Sequence, residues 1–256
     1  MDAEATQVMT RTGEFTTSTV SWEVPVRSRI AAAIDRLSGP LDELVEREAN
    51  EGDTRMLVAD FLSVGMNYSK YQDLTTQFRT GSESVDYAIV REGELFAPVE
   101  VKGIAQDLDV RNIQTARKVA AEHGAEWIVL TNGRHWKAYH LRPDEDGEGH
   151  RAVPVVEVDL LDADAYDRNL DALFHLTHEA VEHGRLDALR RWNEALEAAP
   201  LAEIVRSEAV VEAIRAGLRE TTGHPGHTGD TEQVLRALTG QVIAGGLLRD
   251  DEADEE

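Results

Sequence analysis

Cysteine is absent from the 256 residues of the chain. Disulfide bonds, thiolate nucleophiles and cysteine-ligated zinc or iron–sulfur sites are therefore excluded. Long apolar runs are also missing, since none approaches the roughly 18 residues of a membrane span. The first ten residues lack the basic start and apolar stretch of a secretory signal. We therefore expect a cytoplasmic protein that has no membrane partner.

Lysine is scarce, and positive charge as a whole is outnumbered. The chain has four lysines, 22 arginines and 49 acidic residues, which gives a net charge of −23. Such an excess disfavours nucleic-acid binding, because phosphate affinity depends on Lys and Arg. Residues 46–145, however, have 17 acidic and 12 basic residues, and residues 102–142 have seven basic and four acidic ones. The acidity therefore does not exclude a polyanionic partner for the middle of the chain.

Four regions differ in their patterns. Residues 1–45 form an extension, strand-like over 14–26 and helical over 27–37, with a stop at Ser38-Gly39-Pro40. Residues 46–160 alternate helix and strand, and residues 164–248 are helical. The acidic residues 249–256 indicate a disordered tail. The predicted fold class is α/β, a mixed sheet flanked by helices, with an α-helical C-terminal region.

The middle region divides into recognisable elements. Asp53 can cap a helix whose stripe is Leu57, Val58, Phe61 and Leu62. Hairpin turns are indicated at Glu92-Gly93 and at Asn132-Gly133. The predicted strands are 73–78, 85–91, 96–102, 127–130 and 136–141, with a helix over 111–123.

The first hairpin contains the residues of greatest chemical interest. In the strand 96–102, alternation places Glu100 and Lys102 on one face. In the strand 85–91, Val85, Tyr87 and Ile89 share one face, and Asp86 lies on the other. A three-residue loop over 92–94 would set Asp86 across from Glu100, with Cβ atoms about 4.5–5.5 Å apart. A two-residue loop would shift the register and separate them.

Two carboxylates at that separation could share a divalent cation. Like charges held together resist ionisation, and Mg²⁺ or Mn²⁺ relieves the conflict because hard cations prefer carboxylate oxygens. Lys102 could then orient an attacking water and stabilise charge on phosphorus. The competing interpretation is a solvated strand face with a weak ion pair, since Glu-x-Lys is a short pattern.

Longer stretches carry a resemblance. Thr54-Arg55 entering a helix, VDYAIVREGELFAPVEVK, Asn112-Ile113-Gln114 and AEWIVLTNGRHWKAYHL follow one another in order. Over residues 46–145 the chain resembles the N-terminal nuclease domain of type I restriction enzyme R subunits and their stand-alone relatives, in the PD-(D/E)XK superfamily. The resemblance implies a restriction-endonuclease-like core over 46–160.

The resemblance also implies roles for individual residues. Asp86 and Glu100 would bind Mg²⁺, Lys102 would assist the attacking water, and Glu51, or less favourably Glu48, would join the metal site. Gln114 would begin the supporting Gln-x-x-x-Tyr motif of these nucleases. The tyrosine position holds Lys118, a departure that bears on the efficiency of cleavage and not on the fold.

The implied partner is DNA. Its phosphates would be contacted, independently of sequence, by basic residues after the catalytic strand: Arg111, Arg117, Lys118, Arg134 and Lys137. No nucleotide cofactor is expected, because the phosphate-binding loop of a helicase motor is absent. The predicted function is Mg²⁺-dependent DNA hydrolysis in restriction or defence, as a homodimer or with partner subunits. A DNA-binding scaffold subunit, an RNA nuclease and a dimerisation module remain open.

Overall fold

The computed structural model describes residues 8–9, 15–16, 21–144 and 149–243. The predicted disordered tail at 249–256 lies outside these residues. The chain divides into two compact units, Met1–Arg190 and Arg191–Glu256. Among the described residues, none of the helices is long and apolar enough to cross a membrane.

A six-stranded mixed sheet forms the centre of the first unit, in the order β3-β4-β5-β6-β7-β8. All neighbours are antiparallel except β5 and β6, which are parallel and joined through a helix. The two-residue strands β1 (Val8–Met9) and β2 (Phe15–Thr16) pair with each other. The sheet strands are β3 (Leu74–Thr80), β4 (Glu83–Arg91), β5 (Glu94–Val101), β6 (Trp127–Thr131), β7 (His135–Pro143) and β8 (His150–Asp159).

Helices cover both faces of this sheet, so the predicted α/β fold class is confirmed. One core cluster joins Val99, Val101 and Trp136 to the helices α1, α2, α4 and α5. The other cluster joins Ile128 and Leu130 to α3. The helices of this unit are α1 (Glu23–Glu46), α2 (Glu51–Asp60), α3 (Gln114–His123), α4 (Tyr166–Phe174) and α5 (His178–Glu182).

Helix α1 corrects two predictions for the extension. Residues 23–26 are helical and not strand-like, and the helix continues through Pro40 instead of stopping before it. The residues after Pro40 explain the continuation, because Leu41 and Leu44 are buried in a core cluster with Leu57 and Ile104. Burial of such side chains outweighs the hydrogen bond that a proline removes from a helix.

Helix α2 begins earlier than predicted. Asn50, and not Asp53, is the N-cap residue, and its side chain accepts a hydrogen bond from the Asp53 amide at 3.1 Å. The helix ends in a π-helical turn over Phe61–Gly65. Asp53 therefore lies in the first turn, where its negative charge interacts favourably with the helix dipole.

The turn between β4 and β5 differs from the predicted three-residue loop. Arg91 pairs with Glu94, so the loop has only two residues, both with positive φ. The register then shifts between Ile89 and Val90, because Phe96 is an extra residue on β5. Beyond this bulge Tyr87 pairs with Val99, which is the register that the three-residue loop would have given.

Two further details of the sheet were not anticipated. Strand β8 was not predicted, although its sequence is rich in valine. Val85 packs in the cluster of α3, whereas Tyr87 and Ile89 belong to the other cluster, so these three residues do not share one face as predicted. The backbone is irregular beside them, since Gln77 on β3 has a φ of +49°.

Helix α6 (Arg185–Ala195) spans the boundary between the two units, and the second unit is otherwise helical. Two helices follow, α7 (Ala198–Val205) and α8 (Glu208–Thr222), which are separated at Arg206-Ser207. The last helix is α9 (Asp230–Ala237), followed by a π-helical stretch, Leu238–Ile243. Two large apolar side chains at the end of α6 and just after it, Trp192 and Leu196, are 66% and 53% exposed.

Candidate active site

The ladder between β4 and β5 ends at the pair Tyr87 and Val99. The next positions on the two strands are Asp86 and Glu100. Asp86 is buried, and its Oδ2 accepts a hydrogen bond from the Val101 amide at 2.8 Å. The carboxylate therefore binds a strand amide at the point where the strands stop pairing, which fixes its position.

Glu100 and Lys102 lie side by side, as strand alternation predicts. The Lys102 Nζ donates to Glu100 Oε1 at 2.6 Å, and their side chains are only 18% and 13% exposed. The Lys102 backbone amide donates to the Thr131 carbonyl of β6 at 2.9 Å. The ammonium is thus held beside a carboxylate and mostly away from solvent, unlike the lysine of a solvated strand face.

The second carboxylate oxygen of Glu100 lacks a hydrogen-bond donor in the part of the chain that the structure describes. Oε2 is buried and accepts no hydrogen bond from any residue that the structure describes. Burial raises the pKa of Glu100, the Lys102 ammonium lowers it, and the negative charges of Asp86 and Glu51 raise it further. A buried acceptor without a partner is costly, and a cation at this oxygen would remove that cost.

Arg55 is a site residue whose role the sequence did not reveal. Its Nη1 donates to Asp86 Oδ1 at 2.8 Å, and its backbone carbonyl accepts from the Tyr87 hydroxyl at 2.7 Å. Glu51 lies one turn earlier on α2 and raises the pKa of both Arg55 and Glu100 through its charge. The spacing of Glu51 and Arg55 on one helix face was the available sequence signal.

An open cleft of about 400 Å³ lies beside Asp86. Its lining combines the arginine with polar residues of the edge strand and a mostly exposed methionine. By register Gln77 lies opposite Asp86, since the flanking pairs are Thr76 with Tyr87 and Phe78 with Val85. The residues that line the cleft are Arg55, Met56, Thr76, Gln77, Asp86 and Tyr87.

Gln114 and Lys118 have local partners. The exposed Gln114 side chain donates to the Val110 carbonyl one turn earlier, at 3.3 Å. Lys118, four residues after Gln114, pairs with Glu83 at 2.6 Å. In the described part of the chain neither side chain makes a hydrogen bond to Asp86, Glu100 or Lys102.

The residues predicted to contact phosphates differ in whether they form an ion pair within the protein. Arg134 binds both oxygens of Asp159, at 2.8 and 2.6 Å, which ties the turn before β7 to the end of β8. Arg117 makes no ion pair with any residue that the structure describes, and its role stays a prediction. The other three are paired on the surface: Arg111 with Asp109, Lys118 with Glu83, and Lys137 with Glu157.

The donor set at this site is suited to a hard divalent cation. It offers carboxylates at Asp86 and Glu100, and a further negative charge at Glu51. One oxygen of Glu100 is buried and has no partner among the described residues. Within the described ranges, no three His, Asp or Glu side chains are already arranged to hold a metal ion. The guanidinium of Arg55 already donates a hydrogen bond to Asp86 Oδ1.

Comparison with known proteins adds little. No protein-family model matches the chain, and neither does any curated protein. Among solved structures, the cryo-electron microscopy structure of the DrdV–DNA complex is similar, with 17% identity and a TM-score of 0.34. The match covers 59% of this chain and 96% of that chain. A similarity at this level gives no information about the function of this chain.

Proposed function

We propose that the chain is a Mg²⁺-dependent nuclease of the restriction-endonuclease type, which hydrolyses phosphodiester bonds of DNA in restriction or defence. One observation carries the proposal: Oε2 of Glu100 is buried and has no hydrogen-bond partner among the described residues, while the other oxygen of this carboxylate is 2.6 Å from Lys102 Nζ. Most buried side-chain polar atoms in folded proteins have a hydrogen-bond partner, so a buried oxygen that lacks one calls for an explanation. The sequence resemblance over 46–145 supports the same conclusion.

Each site residue has a distinct role in this proposal. Asp86 and Glu100, with Glu51 nearby, would hold Mg²⁺ or Mn²⁺, which supplies Lewis-acid stabilisation of charge on the phosphate. Lys102 would position the attacking water by hydrogen bonding and neutralise charge that develops on phosphate oxygens. The short pair with Glu100 restricts the ammonium to this position before substrate arrives.

A second candidate function is a DNA-binding scaffold that retains the fold but cleaves weakly. Two observations favour it. Arg55 occupies an oxygen of Asp86, and Lys118 stands where the related nucleases have tyrosine. In that case the Arg55 guanidinium would permanently take the place of the cation at Asp86.

The test compares the wild-type chain with Asp86→Asn on plasmid DNA, linear duplex, single-stranded DNA and RNA. Each is incubated with Mg²⁺, Mn²⁺ or EDTA. Asp60→Asn is the matched control, because Asp60 lies on α2 and pairs with Lys70 on the surface. The nuclease predicts metal-dependent DNA cleavage that only Asp86→Asn abolishes. Gel-shift binding without cleavage would favour the scaffold, and cleavage confined to RNA would correct the substrate.

A further inference from the structure

Both oxygens of Asp86 already accept hydrogen bonds. Oδ2 accepts from the Val101 amide and Oδ1 from Arg55 Nη1, each at 2.8 Å. A cation that binds this carboxylate must therefore displace one of the two donors or share an oxygen with it. The Val101 amide is fixed in a buried strand, whereas the Arg55 side chain is 33% exposed. Arg55 is the donor that can leave.

The backbone of Arg55 is fixed even though its side chain is free to move. The Tyr87 hydroxyl donates to its carbonyl at 2.7 Å, and the neighbouring Thr54 is fully buried. The Thr54 hydroxyl donates to the Asn50 carbonyl at 2.9 Å. The guanidinium can therefore change partner by rotation of side-chain bonds, without movement of α2.

The second partner for this guanidinium would be a phosphate diester. Arginine has five N–H donors in a planar fork that matches phosphate oxygens. In the described part of the chain, Asp86 is the one acceptor of its hydrogen bonds. The cleft next to it is open to solvent, and Thr76 and Gln77 add polar groups. A nucleic-acid backbone lying in this cleft would bring phosphates to Arg55.

We propose that Arg55 blocks Asp86 in the free protein and transfers to a backbone phosphate when duplex DNA enters the cleft, which opens Asp86 to the divalent cation. This inference rests on the proposed function. Cation and DNA then favour each other's binding. DNA draws Arg55 away from Asp86, where it competes with the cation, and the cation occupies Asp86, where it frees Arg55 for a phosphate. Thermodynamic linkage requires the two effects to be equal in size.

The first arm of the test measures Mn²⁺ binding to the full chain, without DNA, by the electron paramagnetic resonance signal of free Mn²⁺. Arg55→Gln and Arg55→Met remove the charge, and Met keeps the apolar stem. Both should bind Mn²⁺ roughly 5- to 20-fold more tightly than wild type, within the usual range of coupling between sites. Asp86→Asn should lose this binding. Thermal unfolding confirms that each variant is folded.

Arg27→Gln is the matched control. Arg27 pairs with Asp171 at 2.7 Å and is 31% exposed, close to the values for Arg55, but it lies on α1. The Mn²⁺ affinity of Arg27→Gln should equal that of wild type. An equal rise in Arg27→Gln would show a general charge effect and overturn the role of Arg55.

The second arm measures binding of a fluorescent duplex by anisotropy, in a Lys102→Met background that prevents cleavage. Mn²⁺ should tighten duplex binding when Arg55 is present, and should do so much less in Arg55→Gln. Mn²⁺ affinity that is lost in Asp86→Asn but unchanged by both Arg55 substitutions would overturn the inference and leave the proposed function intact. The absence of Mn²⁺ binding from every form would overturn both.

Discussion

Asp86 Oδ2, on β4, accepts a hydrogen bond at 2.8 Å from the amide of Val101 on the neighbouring strand β5. The ladder of β4 and β5 has ended one residue earlier, so the side chain completes the hydrogen bonding of a buried strand amide. Asp86 therefore contributes to the fold as well as to the candidate site. Its substitutions must be chosen so that these two roles are separated.

Replacement of Asp86 by Ala should destabilise the fold more than replacement by Asn. Alanine leaves the buried Val101 amide without an acceptor, at a cost of about 1–3 kcal/mol. Asparagine keeps an oxygen that can accept this hydrogen bond while it removes the charge. Urea denaturation should show the larger loss of unfolding free energy in Asp86→Ala. Equal losses in the two variants would contradict a structural role for the carboxylate oxygen.

Glu100→Gln should affect stability in a pH-dependent way. Because burial raises the pKa of Glu100 above its ordinary 4.5, the folded state retains the proton to higher pH than the unfolded state. As pH rises from 4.5 through the folded-state pKa of Glu100, ionisation of this carboxyl therefore lowers the unfolding free energy of wild type. The glutamine variant cannot ionise and does not lose this stability. The melting temperature of Glu100→Gln, relative to wild type, should rise across this window.

The same variant has a second readout in the presence of Mn²⁺. Added cation should raise the melting temperature of wild type, since a ligand that binds the folded state stabilises it. The increase should be absent from Glu100→Gln, which has lost a ligand charge. A parallel pH dependence of the two proteins, or an equal response to Mn²⁺, would contradict the assignment of Glu100.

Arg117 and Arg134 should respond differently to substitution by Gln. Arg117 has no ion pair among the described residues, so its loss should weaken duplex binding and lower the salt slope of the binding constant by about 0.9. Arg134 is tied to Asp159 by two hydrogen bonds. Its loss should reduce stability, by up to about 1 kcal/mol for a partly exposed pair, and leave DNA affinity unchanged. Anisotropy titrations at several salt concentrations, with urea denaturation, distinguish the two.

Local pattern predicted much of the sheet. Alternation placed Glu100 beside Lys102, and Asn132-Gly133 predicted the β6–β7 hairpin, where Gly133 has a φ of +84°. These features depend on neighbours in the sequence. The helix through Pro40 was not predictable in this way, because its cause is the burial of Leu41 and Leu44 against residues far along the chain.

The register of the candidate site was reached by two compensating features. The loop at Glu92-Gly93 is one residue shorter than predicted, and the bulge at Phe96 restores the pairing of Tyr87 with Val99. A bulge has no firm sequence signature when its extra residue is not glycine. The Arg55–Asp86 pair joins residues 31 positions apart, so it also required the tertiary structure.

The most direct test of the account is the rate of metal-dependent plasmid cleavage in three proteins: wild type, Lys102→Met and Lys70→Met. Lys102 pairs with Glu100 inside the candidate site, whereas Lys70 pairs with Asp60 at 2.8 Å on the surface. We expect Lys102→Met to lower the rate by about 100-fold or more, and Lys70→Met to match wild type. Mg²⁺-dependent cleavage that survives unchanged in Lys102→Met would contradict the proposed active site.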